Sequence, residues 1–408
     1  MPGNASRNAR SRADSIRLRA HGGNARSLGL SCNGGAARLL DFSVNVSPLG
    51  PSPRAVAAAR DALAHIDAYP DRESRALVRA LAAAHGVPAE SIVCGAGASD
   101  LIWRLAAATH PRRAIVCAPT FSEYAEAAVR FGACVREVPL SEAGGFKVPL
   151  DFVRAIEGPG DVAFLCNPNN PTGRLIAPEV LAAAADRCES VGALLVVDEC
   201  FLGFSPDAAE RSLAARAAAS AHVAVLSAFT KLYGMAGLRL GYLICGNSDI
   251  VEGVRAAGQV WPVSSVAEAA GVAALGDADY LARTRRTVAD ERAWLSCELS
   301  ALGLLVVPSN ANYLLFRAPA DDLAQKLCER GILVRTCMSF SGLSAFWYRV
   351  AVRTHKENET LVRALESALE DARSCESDGA SLADVLHARR ASGRQTSCNE
   401  PKEAEANG

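Results

Sequence analysis

The chain has 408 residues, half of them apolar, enough to bury a large core and to divide into one large domain and one smaller one. Its 43 basic and 44 acidic residues leave a formal charge of −1, which argues against bulk electrostatic binding of nucleic acid or of an anionic membrane surface, and no apolar run approaches the roughly 18 residues that span a bilayer. Thirteen cysteines without a close Cys-x-x-Cys pair suit buried thiols in a reducing compartment better than a disulfide or zinc framework, so the expectation is a cytoplasmic protein with no metal site.

Residues 1–20 are rich in Arg and Ser, but they contain Asp14 and lack an apolar stripe, so they read as a disordered extension and not as a transit peptide. Residues 21–60 read as an N-terminal arm packing with the small domain. Over 61–264, short apolar β-rich runs alternate with Ala-rich stretches of helical length. Strands are expected at 91–94, 114–117, 135–138, 162–166, 194–197, 223–227 and 240–244. Helices fit between them, for example at 99–109, 122–131 and 178–190, each beginning near a capping residue or a helix-first proline. This is the pattern of an α/β large domain, a mostly parallel sheet covered on both faces. Over 265–372 the order changes to long helices, then strands at 313–316, 333–335 and 348–352 and a last helix from Glu357, which predicts a smaller α+β domain. Residues 373–408 are polar and poor in aromatics and read as a disordered tail. Cys375, His387 and Cys398 in that tail are too widely spaced to suggest a metal site.

Ligands of such open sheets sit beyond the carboxyl ends of the strands, so the residues just after each strand are the candidates. Gly95-Ala96-Gly97-Ala98-Ser99 is a small-residue turn opening a helix, where free N–H groups can hold a phosphate, although glycine turns are common. Phe121, after 114–117, can stack on a planar ring or simply join the core. Asn167-Pro168-Asn169-Asn170-Pro171-Thr172-Gly173 is more polar and turn-rich than a plain connector, and the Asn170 amide can donate to a phenolate oxygen. Asp198 ends an apolar run and, buried there, calls for a cationic partner such as a protonated pyridine nitrogen. Of the five lysines, Lys231 alone occupies a strand end before a glycine-containing loop, where an apolar, electropositive setting makes an amine nucleophilic. Arg239 follows eight residues later.

The ordered set Asn170-Pro171-Thr172-Gly173, Asp198-Glu199, Thr230-Lys231 and Gly237-Leu238-Arg239 resembles the fold type I, class II aminotransferases over about 350 residues. The resemblance implies pyridoxal 5′-phosphate as cofactor, held as a Schiff base on Lys231, with Asp198 pairing its pyridine nitrogen, Asn170 on its 3′ oxygen and Phe121 on its ring. It further implies that Gly97, Ala98, Ser99 and Arg239 bind the cofactor phosphate, and that Tyr69 reaches across from a second subunit of a homodimer. Two positions depart from the family pattern: Ala228 stands where relatives often have a phosphate-binding Ser, and Phe201 where many have a Tyr.

Within the superfamily, His21-Gly22-Gly23-Asn24, the run from Asp41-Phe42-Ser43 through Asn45 to Gly50, and Tyr348-Arg349-Val350-Ala351-Val352-Arg353 resemble the threonine-phosphate decarboxylases of cobalamin biosynthesis. Arg335 and Arg349 offer guanidinium forks suited to a substrate bearing both a carboxylate and a phosphate. By resemblance His21, Gly22, Asn45 and Asn170 also line the substrate site. Arg353, two pleats from Arg349 on an expected strand, either binds phosphate or pairs with a surface acid. The implied reaction is decarboxylation of L-threonine O-3-phosphate to (R)-1-aminopropan-2-yl phosphate. A histidinol-phosphate aminotransferase, sharing the cofactor set and both late arginines, and a non-catalytic relative are the alternatives.

Overall fold

The computed structural model describes residues 39–377. His21 and Gly22, the expected extension over 1–20 and the tail beyond 377 lie outside the described residues. The arm enters as strand β1 (Leu40–Asp41), and the large sheet is built from β2 (Ile92–Gly95), β3 (Arg113–Ala118), β4 (Cys134–Pro139), β5 (Asp161–Cys166), β6 (Leu194–Asp198), β7 (Val223–Ala228) and β8 (Gly241–Ile244). Their order across the sheet is β2-β8-β7-β6-β5-β3-β4, parallel throughout except for β8, which runs antiparallel to both neighbours. The central strands are apolar at almost every position because both faces are covered. Ile115, Ala163, Leu195 and Val197 point into one core, while Val116, Phe164, Val196 and Leu226 point into another.

Between adjacent β3 and β5 the connections leave in opposite directions, β3 leading outward to β4 and β5 back toward β6. The resulting crevice lies at the carboxyl ends of these strands, where Phe121 and Asn170 follow.

The small domain carries β9 (Leu305–Val306), β10 (Tyr313–Arg317), β11 (Ile332–Leu333), β12 (Arg335–Thr336) and β13 (Trp347–Ala351). Four of these form an antiparallel sheet in the order β12-β13-β10-β9, whereas β11 pairs in parallel with β1 of the arm, Leu40 opposite Ile332 and Asp41 opposite Leu333. The single strand expected at 333–335 is therefore two, divided at Val334 because its halves join different sheets. The last helix begins at His355, two residues before the expected start, and runs to Ser377. The Glu357 carboxylate accepts from Thr354 N–H at 3.3 Å and from Thr354 Oγ1 at 2.7 Å, which fixes the first turn there.

The helix Ser265–Leu275, which composition groups with the second domain, packs into the large-domain core. Its small face of Ala267, Ala270, Gly271 and Ala274 lets it close on Leu77 and Leu81. A Cβ at Gly271 would sit 2.6 Å from Leu240 Cδ2. Among the described residues, no helix is long and apolar enough to cross a membrane.

Candidate active site

Lys231 sits in the turn that leaves β7, and the arm fixes that turn from outside. Ser47 N–H donates to the Lys231 carbonyl at 2.9 Å, and Gly234, at φ +71°, lies so close to Gly50 that a Cβ would stand 2.4 Å from its carbonyl carbon. The Lys231 amine thus projects into an inner cavity of about 130 Å³ that it shares with Phe121, Tyr124, Asp198 and Phe201. Its Nζ lies 5.4 Å from the centre of the Phe201 ring. Burial, reinforced by the Arg349 and Arg239 charges, pulls its pKa down to about 8, so a neutral, nucleophilic amine is accessible near physiological pH.

Asp198 ends β6 at the floor of the same cavity, buried. Among the described residues, no cationic side chain forms an ion pair with it. Oδ2 accepts from Tyr124 Oη at 2.6 Å and Oδ1 from the Cys200 N–H at 2.9 Å, both neutral donors. Tyr124 is fully buried and stacks on Phe164 at 5.2 Å, while Phe121 stands edge-on to it at 5.6 Å. Burial and the Asp198 charge push the Tyr124 hydroxyl well above its ordinary pKa, so it remains a donor. Sequence reasoning missed Tyr124. The available signal was a lone tyrosine on the helix that follows Phe121, since a buried tyrosine hydroxyl needs a partner.

The helix Ala98–Thr109 opens at Gly97, whose φ of +91° suits glycine. Arg239 holds a left-handed backbone (φ +56°), uncommon for a side-chain-bearing residue, and its guanidinium lies over this turn, Nη2 donating to the Ala96 carbonyl at 3.4 Å. A Cβ at Gly97 would stand 2.7 Å from Arg239 Nη2, and one at Gly241 would stand 2.7 Å from the Gly97 carbonyl carbon. Two glycines thus let a guanidinium and a helix N-terminus converge beside Ser99, Ala98, Thr230 and Ala228 on the inner cavity.

The inner cavity opens on an outer one of about 390 Å³, into which the small domain and the arm project Arg335, Arg349 and Asn45. Arg335 on β12 and Arg349 on β13 are direct cross-strand neighbours, and both are buried. Among the described residues, the acceptors that hold Arg349 are neutral. Asn170 Oδ1 accepts from Nη1, the Ser43 carbonyl accepts from Nη2 at 2.9 Å, and Asn45, with its amide oxygen turned inward, accepts from Nη1 and Nε at 3.3 and 3.2 Å. Arg335 donates to Ser339 Oγ at 2.8 Å and lies over the Phe340 ring, 5.6 Å from its centre. Burial, followed by the Arg349 charge, lowers the Arg335 pKa to about 10. Like charges opposed on neighbouring strands are costly, so the pair is suited to an anion placed between or before them.

Of the remaining candidates, Arg353 lies beyond the end of β13 and pairs with Glu357 at 2.8 Å while donating to the Asp41 carbonyl; the surface-acid alternative is the one observed. Tyr69 is 78% exposed, stacks on Trp261 at 4.2 Å and lines neither cavity of its own chain.

Comparison with known proteins places this geometry in a family. Residues 37–365 match the family model described as aminotransferase class I and II. The chain is 38% identical over 353 residues to a threonine-phosphate decarboxylase of Salmonella typhimurium, covering 86% of this chain and 96% of that one. It is also 39% identical over 333 residues to a histidinol-phosphate aminotransferase of Symbiobacterium thermophilum, covering 80% and 89% respectively. The solved structure of the histidinol-phosphate aminotransferase from Clostridium acetobutylicum superposes with a TM-score of 0.75 at 26% identity, covering 82% of this chain and all of that one. The inner cavity fits pyridoxal phosphate in its chemistry: an amine of lowered pKa, a buried carboxylate held by the neutral donors Tyr124 Oη and Cys200 N–H, and a guanidinium over a helix N-terminus that a Cβ at Gly97 would obstruct. The chain belongs to the aminotransferase class I and II family, and its cofactor is pyridoxal 5′-phosphate.

Proposed function

We propose that the protein decarboxylates L-threonine O-3-phosphate to (R)-1-aminopropan-2-yl phosphate, the linker of the cobalamin nucleotide loop, as a homodimer. The observation that carries this reading is the pair of buried guanidiniums, Arg335 opposite Arg349, at the mouth of the lysine-bearing cavity; an aminotransferase would share both, and the reading turns on one substrate filling the two. A substrate with two anionic groups on a short chain matches them. Arg349 bonds Asn170, which lines the inner cavity with Lys231 as well as the outer one, whereas Arg335 lines the outer cavity alone, so the order outward from Lys231 is taken as Arg349, then Arg335. The substrate's α-carboxylate, one bond from the reacting carbon, then falls to Arg349, and the more distant phosphoryl group to Arg335.

Lys231 would hold the cofactor, Asp198 its pyridine nitrogen, Asn170 its 3′ oxygen, and Gly97, Ala98, Ser99 and Arg239 its phosphate. When bound, the cofactor supplies a protonated aromatic ring conjugated to the substrate's amine, able to accept the electron pair left at Cα. The bond between Cα and the carboxylate carbon breaks, CO₂ departs, and a proton takes its place. With a pKa of about 8, Lys231 Nζ can carry that proton near neutral pH. Phe121 would cover the ring, and Tyr69 of the partner subunit would complete the phosphate end, consistent with its exposed position on this chain.

The second reading, a histidinol-phosphate aminotransferase, is favoured by the similarity to the Symbiobacterium protein. Purified holoenzyme given L-threonine O-3-phosphate without any keto acid separates the two. Release of CO₂ and the amine phosphate supports the decarboxylase. Turnover of histidinol phosphate that strictly needs 2-oxoglutarate, with no CO₂ from the first substrate, replaces it by the aminotransferase.

A further inference from the structure

The loop that follows β12 leaves the small domain, reaches the large one and returns. Cys337 N–H bonds the Trp347 carbonyl at 2.9 Å, and the turn then tightens through Phe340 N–H to the Cys337 carbonyl and Leu343 N–H to the Phe340 carbonyl. At its tip, Ser341 Oγ donates to Glu137 Oε2 on β4 at 2.7 Å. Gly342, at φ +85°, lies against the end of β3, where a Cβ would stand 3.7 Å from the Ala118 carbonyl oxygen. Phe340 is therefore held from both domains, and its buried ring is a wall of the outer cavity with the Arg335 guanidinium lying over it.

A guanidinium on β12, a strand only two residues long, needs something beside it to fix its plane. Ser339 supplies one hydrogen bond from within the same loop, and the aromatic face supplies an attraction that strengthens where water is excluded. The ring also keeps water from one side of Arg335, which lines the same cavity as Arg349 and Lys231.

We propose that Phe340 is a positioning residue for Arg335: its ring, braced by the Ser341–Glu137 bridge, orients that guanidinium for the substrate's phosphoryl group and so makes the site select phosphorylated ligands over their unphosphorylated counterparts. This rests on the reading above in taking the substrate to be phosphorylated, which both readings of the site share, and in giving its phosphoryl group to Arg335.

The test is the affinity of the holoenzyme, read by stopped flow from the change in cofactor absorbance that precedes turnover, for L-threonine O-3-phosphate and for L-threonine, in wild type and in Phe340→Ala, Phe340→Leu and Phe340→Tyr. Loss of the aromatic face in the Ala and Leu variants is expected to weaken the phosphorylated ligand roughly five- to thirtyfold, the span from an exposed to a desolvated cation–π contact. L-threonine should change less than about twofold on the same argument, and Phe340→Tyr should restore the preference. The Leu variant keeps an apolar wall and guards against collapse of the Ala variant. Equal weakening of both ligands, no weakening at all, or a Leu variant that binds as wild type would each overturn the proposal. Should the wild type prove to be a histidinol-phosphate aminotransferase, the decarboxylase reading falls. The same four proteins titrated with histidinol phosphate and histidinol then decide the role of Phe340.

Discussion

Replacing Lys231 by methionine removes the amine while keeping an unbranched apolar stem, and it isolates what burial of that amine costs the cofactor-free protein. In the unfolded chain the amine keeps the ordinary value of 10.5, and in the folded chain it falls to about 8. A tenfold change in proton affinity corresponds to about 1.4 kcal/mol. Below pH 8 both states are protonated and the folded state bears the whole cost, roughly 3 kcal/mol. Between pH 8 and 10.5 the unfolded chain binds the additional proton, so the stability of the wild type rises with pH across that window. The methionine variant lacks this dependence. Urea unfolding of the two apoproteins should therefore show the variant more stable by roughly 3 kcal/mol at pH 7 and by only about 1 kcal/mol at pH 9.5, where the wild-type amine is already largely neutral when folded. A difference that stays constant between those pH values, or a variant less stable than wild type at pH 7, would refute the assignment of Lys231 as a desolvated amine.

Three further outcomes follow from the geometry. Tyr124→Phe removes one of the two donors on the buried Asp198 carboxylate and should cost about 1–3 kcal/mol in urea unfolding and speed cofactor release on dilution, with unchanged stability as the contrary result. Glu199 is buried on neutral donors, Ser212 Oγ at 2.6 Å and the Leu213 N–H at 2.8 Å, and burial raises its carboxyl to about 7 from 4.5. Here the folded state binds the extra proton between pH 4.5 and 7, so stability falls as pH rises through that window, by roughly 3 kcal/mol from this group alone. Glu199→Gln should flatten the unfolding midpoint between pH 5 and 8; an unchanged slope would contradict it. Gly97→Ala meets both a φ of +91° and the Arg239 guanidinium at 2.7 Å, and is expected to lose at least about 1 kcal/mol of stability and to weaken cofactor affinity in a titration of the apoprotein.

The large-domain half of this site was legible in the sequence because an α/β sheet writes its strands as apolar runs and leaves its chemistry at their ends. Gly97, Phe121, Asn170, Asp198 and Lys231 could be picked out one after another with no knowledge of sheet order. The small-domain half was harder, for a physical reason. A three-residue run at 333–335 carries no sign that its backbone hydrogen bonds divide between two sheets, so the division at Val334 needed the arm and β13 to be seen in place. Placing Arg353 on the same face as Arg349 requires β13 to continue; it stops at Ala351, and the alternation of side chains stops with it. Tyr124 was hidden because its role depends on where the carboxylate 74 residues later comes to rest. Phe340 was hidden more deeply. An aromatic in a serine- and glycine-containing loop has no periodicity to read, and what fixes it is a bond from its neighbour Ser341 to Glu137, 204 residues earlier. Residues that contact through secondary structure can be inferred from pattern, whereas residues that contact because a loop crosses between domains cannot. The proposed selectivity for phosphorylated ligands rests on a contact of the second kind.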